Sequence, residues 1–133
     1  GRPEGEQGIK AYGLDRISNP AGMGKRYRER VSAEEIVKLY EDCFAMFNTE
    51  KAGQDVVLAF DRRDGNYIKS YPIHPSQKTE DKQDGVIVHL RIKITPDFIM
   101  ELMSRAWSVR VIAPESLRKE LHRIFSGAVK RNK

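Results

Sequence analysis

The bend at residues 71–77, Tyr-Pro-Ile-His-Pro-Ser-Gln, contains the residue types that hydrolytic chemistry requires. His74 and Ser76 are two positions apart, and a histidine beside a serine can act as the base that activates a nucleophile. Acyl transfer would also need an oxyanion hole and a sharply turned nucleophile elbow, and the surrounding sequence has neither pattern. Because side chains two residues apart on an extended bend seldom meet, we expect no catalytic pair and no enzyme.

The same bend has a structural explanation. Pro72 and Pro75 restrict the backbone, while Ser76 and Gln77 can bind the backbone groups that are left where the chain leaves a sheet. We therefore expect a structural bend. The alternative is that His74, Ser76 and Gln77 form the rim of a regulatory surface.

Metal and phosphate chemistry are not indicated by the sequence. The histidines at 74, 89 and 122 lack the spacings of a zinc site, and we expect His89 and His122 to be ordinary surface residues. Cys43 is the only cysteine and lies beside the apolar stripe of a predicted helix, so we expect it to pack. The segment AGMGKRY (21–27) lacks the GxxxxGK[ST] pattern of a phosphate-binding loop. We expect no metal and no cofactor.

A binding site is better supported in the segment IKAYGLDRI (9–17). If this segment is a strand, Lys10 and Tyr12 lie on one face, and Arg16 is close by. A cation beside an aromatic ring could receive the phosphate and base of a nucleotide. The competing interpretation is a barrel strand with Tyr12 in the core and Asp15 paired with Arg16, and the residues alone leave both open.

The length and composition of the chain indicate which class of protein it belongs to. The chain has 133 residues, of which 32% are charged and 39% hydrophobic, as is typical of one soluble globular domain with an appendage. The net charge of +5 is compatible with a polyanionic partner or with a solvated basic surface. No apolar run is long enough to cross a bilayer, and no segment has a signal-peptide pattern. We therefore expect a cytoplasmic protein.

The first third of the chain predicts a strand, a linker and a helix. Residues 9–17 are interpreted as the strand, and the segment SNPAGMG (18–24) is a cluster of residues that break regular structure. Ser32 and Glu35 form a capping-box pattern for a helix over 32–48.

The rest of the chain predicts an α+β fold. Three strands are expected, at 55–61, 86–94 and 107–113. Two helices are expected to begin at Pro96 and Pro114. Residues 67–70 could form a short helix, but a strand at 68–73 would complete a ferredoxin-like βαββαβ sheet, with two helices on one face and a trailing C-terminal helix.

Several stretches resemble one protein family. IKAYGLDRI (9–17) resembles the strand that follows the Trp-Tyr-Leu tripeptide in the WYL family of bacterial regulators. YIKSYPIHPSQK (67–78) resembles the "plHpSQ" bend of the WCX domain, the extension that follows WYL, and SVRVIAPESLRKELHRIF (108–125) resembles the end of that extension. LYEDCFAMFN (39–48) is similar to the family's aromatic-rich linker. Together these stretches cover nearly the whole chain from residue 9.

The resemblance implies a regulator with an N-terminal winged helix-turn-helix, a WYL barrel and a ferredoxin-like WCX extension. The tripeptide and the helix-turn-helix are not in this sequence, so the chain is expected to be a C-terminal fragment. Its expected parts are a residual last strand of the WYL barrel with a linker (1–24), a linker helix (25–51) and a WCX-like domain (52–133).

The function that the resemblance implies is a non-catalytic module for effector sensing and oligomerisation in a WYL-type DNA-binding transcriptional regulator. DNA would be bound through the helix-turn-helix of the full-length protein, a homodimer is expected, and the effector would be a nucleotide or single-stranded nucleic acid. Lys10, Tyr12 and Arg16 match the family's ligand-facing strand. Lys10 replaces an arginine of the family, which keeps the charge but loses the planar bidentate fork.

The competing function is a module whose sheet binds single-stranded nucleic acid directly. That mode of binding uses exposed aromatic side chains on the central strands. The predicted strand at 86–94 has none, and its outer face carries His89, Arg91 and Lys93 instead.

Overall fold

The computed structural model describes residues 3–26, 28, 31–45 and 47–133. The predicted ranges 1–24 and 25–51 therefore fall partly outside the described residues. The chain divides into two compact units, Gly1–Leu39 and Tyr40–Lys133. The boundaries proposed from the sequence at residues 24 and 51 stay predictions.

The second unit is built on an antiparallel sheet of four strands in the order β2-β3-β1-β4. The strands are β1 (Gln54–Phe60), β2 (Lys78–Lys82), β3 (Gly85–Ile92) and β4 (Arg110–Ala113), and the helices are α1 (Ala33–Tyr40), α2 (Arg62–Ser70), α3 (Pro96–Met103) and α4 (Glu115–Arg131). From β1 onward the elements follow the order βαββαβ, and α4 trails. This topology confirms the predicted α+β, ferredoxin-like fold class.

Helices α2, α3 and α4 bury their apolar residues against one face of the sheet. Alternate residues of β1 and β3 point into this core because side chains on a strand change face at every step. The strand residues of the core are Val56, Leu58, Phe60, Val86, Val88, Leu90 and Ile92. Each helix adds buried residues, namely Ile68 from α2, Phe98 and Leu102 from α3, and Leu117 and Leu121 from α4. The opposite face of the sheet has no such helical cover from α2, α3 or α4.

The strand predicted at residues 9–17 is wrong. These residues, all of which the structure describes, form no strand, and Leu14–Arg16 is a turn of 3-10 helix. The amide of Arg16 donates to the carbonyl of Gly13 at 3.0 Å, and the amide of Ile17 donates to that of Leu14 at 3.2 Å. A strand needs a neighbouring strand to satisfy its backbone groups, whereas here the amides of Arg16 and Ile17 are bonded locally.

The strand predicted at 68–73 is also wrong, because α2 extends through Ser70 and β2 lies at Lys78–Lys82. The sequence of β2, Lys-Thr-Glu-Asp-Lys, has no alternation of apolar and polar residues, and all five residues are exposed. It is a strand because it pairs with β3, from Lys78 opposite His89 to Lys82 opposite Gly85. The short helix that the sequence allowed at residues 67–70 is confirmed as a helix, and it begins earlier than expected, at Arg62.

Helix α1 begins as predicted but ends early. The amide of Glu35 donates to Ser32 Oγ at 3.1 Å, and the amide of Ser32 donates to Glu35 Oε2 at 2.8 Å, which confirms the capping box. The helix was expected to reach residue 48 and stops at Tyr40. Beyond it the carbonyl of Asp42 accepts a hydrogen bond from the amide of Lys93 at 2.7 Å, so contact with the end of β3 replaces the helical bonds.

The strand predicted at 107–113 begins only at Arg110. The preceding residues form turns, in which the amides of Ser108 and Val109 donate to the carbonyl of Arg105 at 3.1 and 3.0 Å. These turns hold Trp107 outside the sheet.

Asp97, in the first turn of α3, joins that helix to the segment before β1. Its carboxylate accepts hydrogen bonds from the amides of Phe47 at 3.1 Å and Phe98 at 2.9 Å, and from the hydroxyl of Thr95. Burial acts to raise the pKa of this carboxyl, but the hydrogen bonds outweigh it and hold the pKa below its ordinary value of 3.8. Because the folded pKa is depressed, the stabilisation is complete above 3.8 and is lost as the pH falls below it.

The variant Asp97→Asn is therefore expected to weaken the acid dependence of stability. The free energy of unfolding of the unmodified chain should fall as the pH drops below 3.8, and that of the variant should fall less steeply. Urea unfolding followed by circular dichroism at a series of pH values measures both slopes. Parallel curves for the two proteins would contradict the role of Asp97.

Candidate functional site

The face of the sheet opposite the helices, here called the open face, carries outward-pointing residues of the strands. An apolar strip runs across it, made of Val57, Ala59, Ile87 and Ile112. The register places Val57 opposite His89, and Ala59 opposite both Ile87 and Arg110, so these side chains share the face. On β4, Ile112 is 47% exposed beside the buried Val111. The open face thus combines a partly exposed apolar strip with polar and charged neighbours.

Charged side chains of both signs border the apolar strip, since Glu80 lies opposite Ile87 and Asp55 lies opposite Arg91. The guanidinium of Arg91 pairs with Asp55 at 3.3 Å. In the part of the chain that the structure describes, Lys78 and Arg110 form no ion pair. Cations without a protein counter-charge attract anions, so the open face is suited to an anionic ligand.

A groove of about 620 Å³ lies at one end of the open face, between the β2–β3 hairpin and the start of β4. Ser108 and Arg110 line one side, and Lys82 and Asp84 line the other. Arg62 fixes the hairpin by donating to the carbonyl of Gln83 at 3.2 Å. The groove is open to solvent along its length and does not enclose a ligand as small-molecule pockets usually do.

The His74 and Ser76 side chains of the bend contact each other, and the His74 ring also accepts a hydrogen bond from the backbone of the bend. Nδ1 of His74 accepts the amide of Ser76 at 3.1 Å and lies 2.8 Å from Ser76 Oγ, and Nε2 donates to the carbonyl of Glu41 at 2.8 Å. The expectation that the two side chains would not meet is wrong. The amide of Gln77 donates to the carbonyl of His74 at 3.0 Å, and this turn brings them together.

The bend is also tied to its neighbours through Ser76 and Gln77. Ser76 Oγ accepts the amide of Arg91 at 2.9 Å and lies 3.0 Å from the carbonyl of the same residue. Gln77 Oε1 accepts the amide of Ile73 at 2.9 Å, and Nε2 donates to the carbonyl of Ile68 at 3.0 Å. These bonds join the end of α2 to β3, as expected of a structural bend. A regulatory rim at His74, Ser76 and Gln77 stays a prediction.

The predicted ligand-binding residues lie in the first unit, outside any strand. Lys10 pairs with Glu6 at 2.5 Å. Tyr12 is 59% exposed, so the interpretation that placed its ring in a core is wrong. Arg16 is exposed at the end of the 3-10 turn. Because the segment is not a strand, alternation no longer explains a shared face, and the binding role of Lys10, Tyr12 and Arg16 stays a prediction.

His89, His122 and Cys43 have the exposure that the sequence predicted, but Cys43 lies beyond the end of α1 and not on the predicted helix. His89 is exposed on the open face, and His122 is exposed on α4. Cys43 is buried, and burial raises the pKa of its thiol, which keeps it protonated and suited to packing. Within the described ranges, no three His, Cys, Asp or Glu side chains are placed to hold a metal ion.

A cluster that the sequence interpretation missed lies on the helical side of the fold. This aromatic surface consists of Arg63, Tyr67, Tyr71, Arg105 and Trp107. Arg63 lies 5.2 Å from the centre of the Trp107 ring, Arg105 lies 4.7 Å from that of Tyr67, and the two tyrosine rings are 5.0 Å apart. The spacing of four between Arg63, Tyr67 and Tyr71 indicates a single helix face. Assigning residues 68–73 to a strand concealed that signal.

Comparison with known proteins identifies one match. The family model of the WCX domain matches residues 52–129, which span the sheet and most of α4. No curated protein matches the chain. In the part of the chain that the structure describes, every helix is too short or too polar to cross a membrane.

Proposed function

The chain belongs to the WCX domain family, and from that membership we propose that it is the effector-sensing and oligomerisation module of a WYL-type DNA-binding transcriptional regulator. In this proposal the effector is a nucleotide or single-stranded nucleic acid, and the module forms a homodimer. DNA is bound by a helix-turn-helix of the full-length regulator. The module catalyses no reaction, and the protein is cytoplasmic.

The observation that carries the proposal is the match of the WCX domain model to residues 52–129, and the difference between the two faces of the sheet is consistent with a module that receives a partner. One face is packed against α2, α3 and α4, whereas the open face exposes an apolar strip beside Lys78 and Arg110. An apolar strip with cations at its edge suits a surface that receives a partner or an anionic ligand. An effector can act through such a module only by binding one packing arrangement more tightly than another.

The geometry of the bend favours a non-catalytic role. The ring nitrogen of His74 that faces Ser76 Oγ already accepts the amide of Ser76, and the hydroxyl of Ser76 is bound to the backbone of Arg91. A catalytic serine must be able to reach a substrate carbonyl beside oxyanion donors. Here the same atoms hold two elements of the fold together.

The experiment that tests the proposal measures binding of a fluorescein-labelled single-stranded oligonucleotide to the full chain. If the effector binds at the predicted residues, the double variant Lys10→Gln/Arg16→Gln should lower the affinity about tenfold. The plot of log affinity against log salt should become shallower by about 0.7 for each phosphate group that the variant no longer neutralises. Fluorescence anisotropy over a range of salt concentrations provides both values.

A matched control removes the same charge from α4, with Lys119→Gln/Arg123→Gln. This variant should keep the affinity within about twofold, because its cations lie on the exposed side of α4, outside the predicted binding segment. An equal decrease of affinity in both variants would show non-specific attraction and would contradict the proposal. Failure of the chain to bind the oligonucleotide or free nucleotides would contradict the proposed class of effector.

A second candidate is direct binding of single-stranded nucleic acid by the open face, which Lys78 and Arg110 favour because they have no ion pair in the described structure. Its described residues include no aromatic ring for base stacking other than the imidazole of His89, which weakens this candidate. The double variant Lys78→Gln/Arg110→Gln separates the two functions. It should leave affinity unchanged if the effector binds at Lys10 and Arg16, and should abolish most binding if the sheet binds directly.

A further inference from the structure

The aromatic surface is a concentrated patch of the residue types that dominate protein–protein contacts. Trp107 is 81% exposed, and Tyr67 and Tyr71 are 50% and 67% exposed. Tryptophan, tyrosine and arginine carry most of the binding energy at measured interfaces. Three large rings in contact with water on one surface mark an interaction site rather than scattered exposure.

The aromatic surface is ordered in the free chain by contacts within the chain. Ser108 Oγ donates to Oδ2 of the buried Asp64 at 2.5 Å, which anchors the turn that carries Trp107 against α2. The guanidinium of Arg63 lies over the Trp107 ring, and Arg105 lies over Tyr67. A surface that is already ordered loses little conformational entropy on binding.

The charges of the aromatic surface are neutralised within the chain. Arg63 pairs with Asp64 at 3.3 Å, and Arg105 pairs with Glu101 at 3.1 Å. Polyanions are recognised by cations that are free to bind phosphate, so this surface does not favour nucleic acid. In a two-fold dimer each copy presents the same patch to the other, and balanced charges avoid the like-charge repulsion that unpaired cations would cause.

From these features we propose that the aromatic surface is the contact between two copies of this chain. The contact is isologous, with Trp107 of each copy packed among the rings of the other. This inference rests on the homodimer in the proposed function and deepens it by assigning the dimer contact to α2 and the turn before β4. The open face then stays accessible in the dimer.

The test is sedimentation equilibrium of the full chain at concentrations up to about 100 µM, where weak interfaces still associate. The unmodified chain should form dimers, and Trp107→Ala should raise the dimer dissociation constant at least about tenfold. Because Trp107 is the only tryptophan, its emission should shift to the blue as the chain dimerises. Tyr71→Ala is a second variant at an exposed ring, and it should weaken the dimer in the same direction.

The matched control is Ile112→Ala, which removes an exposed apolar side chain from the open face and should leave the dimer dissociation constant within about twofold. A chain that stays monomeric at every concentration overturns the inference, as does a dimer that Trp107→Ala leaves intact. A dimer that only Ile112→Ala weakens also overturns it and assigns the contact to the sheet. Oligonucleotide binding is measured separately, so an intact dimer that binds no effector would fail the proposed effector role alone.

Discussion

Replacement of Gly85 by alanine is expected to unfold the second unit of the chain. The new Cβ atom would lie 2.0 Å from the carbonyl oxygen of Phe60 and 3.1 Å from its carbonyl carbon. Both atoms belong to the backbone of β1, which pairs with β3 along its whole length, so they cannot move aside without breaking the ladder. Overpacking with flexible side chains costs about 1–3 kcal/mol, and a rigid backbone clash should cost more.

Urea unfolding followed by circular dichroism measures this effect, and a matched glycine provides the control. Gly127 lies within α4, where an added Cβ would approach only the tip of the flexible Arg131 side chain at 3.3 Å. Gly127→Ala should stabilise the chain by about 0.5–1 kcal/mol, because alanine favours the helix. A Gly85→Ala variant that unfolds at the urea concentration of the unmodified chain would show that β1 and β3 can separate at this point.

His74→Ala is expected to lower the free energy of unfolding by about 2–4 kcal/mol. His74 is 7% exposed, and removing its ring leaves a cavity. The amide of Ser76 and the carbonyl of Glu41 also lose their hydrogen-bond partner. A buried polar group without a partner costs about 1–3 kcal/mol, so the two effects act in the same direction.

His89→Ala is the control for this prediction, since the imidazole of His89 is 50% exposed on the open face. It should change the free energy of unfolding by less than about 0.5 kcal/mol. Thermal or urea unfolding of both variants under the same buffer conditions makes the comparison. If His74→Ala were as stable as His89→Ala, the hydrogen bonds of the bend would not be structural, and the hypothesis of a regulatory rim would gain support.

The fold class was predictable because local patterns and the core agree. In β3, Val86, Val88, Leu90 and Ile92 alternate with Ile87, His89 and Arg91, and the structure buries the first set. Pro96 and Pro114 mark the helix starts for the same local reason, since proline suits the first turn or the position just before it. The resemblance at residues 67–78 and 108–125 is consistent with the match of the WCX domain to residues 52–129.

The candidate sites were less predictable. Lys10, Tyr12 and Arg16 were grouped on the assumption of a strand that the structure does not contain. Ser76 Oγ and His74 Nδ1 were expected to point apart, and they lie 2.8 Å from each other, because a turn hydrogen bond closes the bend. In both cases a periodicity rule was applied where backbone hydrogen bonds determine the direction of the side chains.

The α+β class, the buried face of the sheet and the family could all be predicted from the residues alone, because hydrophobic periodicity and ordered motifs are local properties. Three features required the folded structure, namely that the exposed segment Lys78–Lys82 is a strand, that α1 stops at Tyr40, and that Trp107 lies beside Arg63. β2 exists through its pairing with β3, and α1 ends where the chain turns to bond with Lys93. These features depend on contacts between residues far apart in the chain, and local sequence patterns do not predict such contacts.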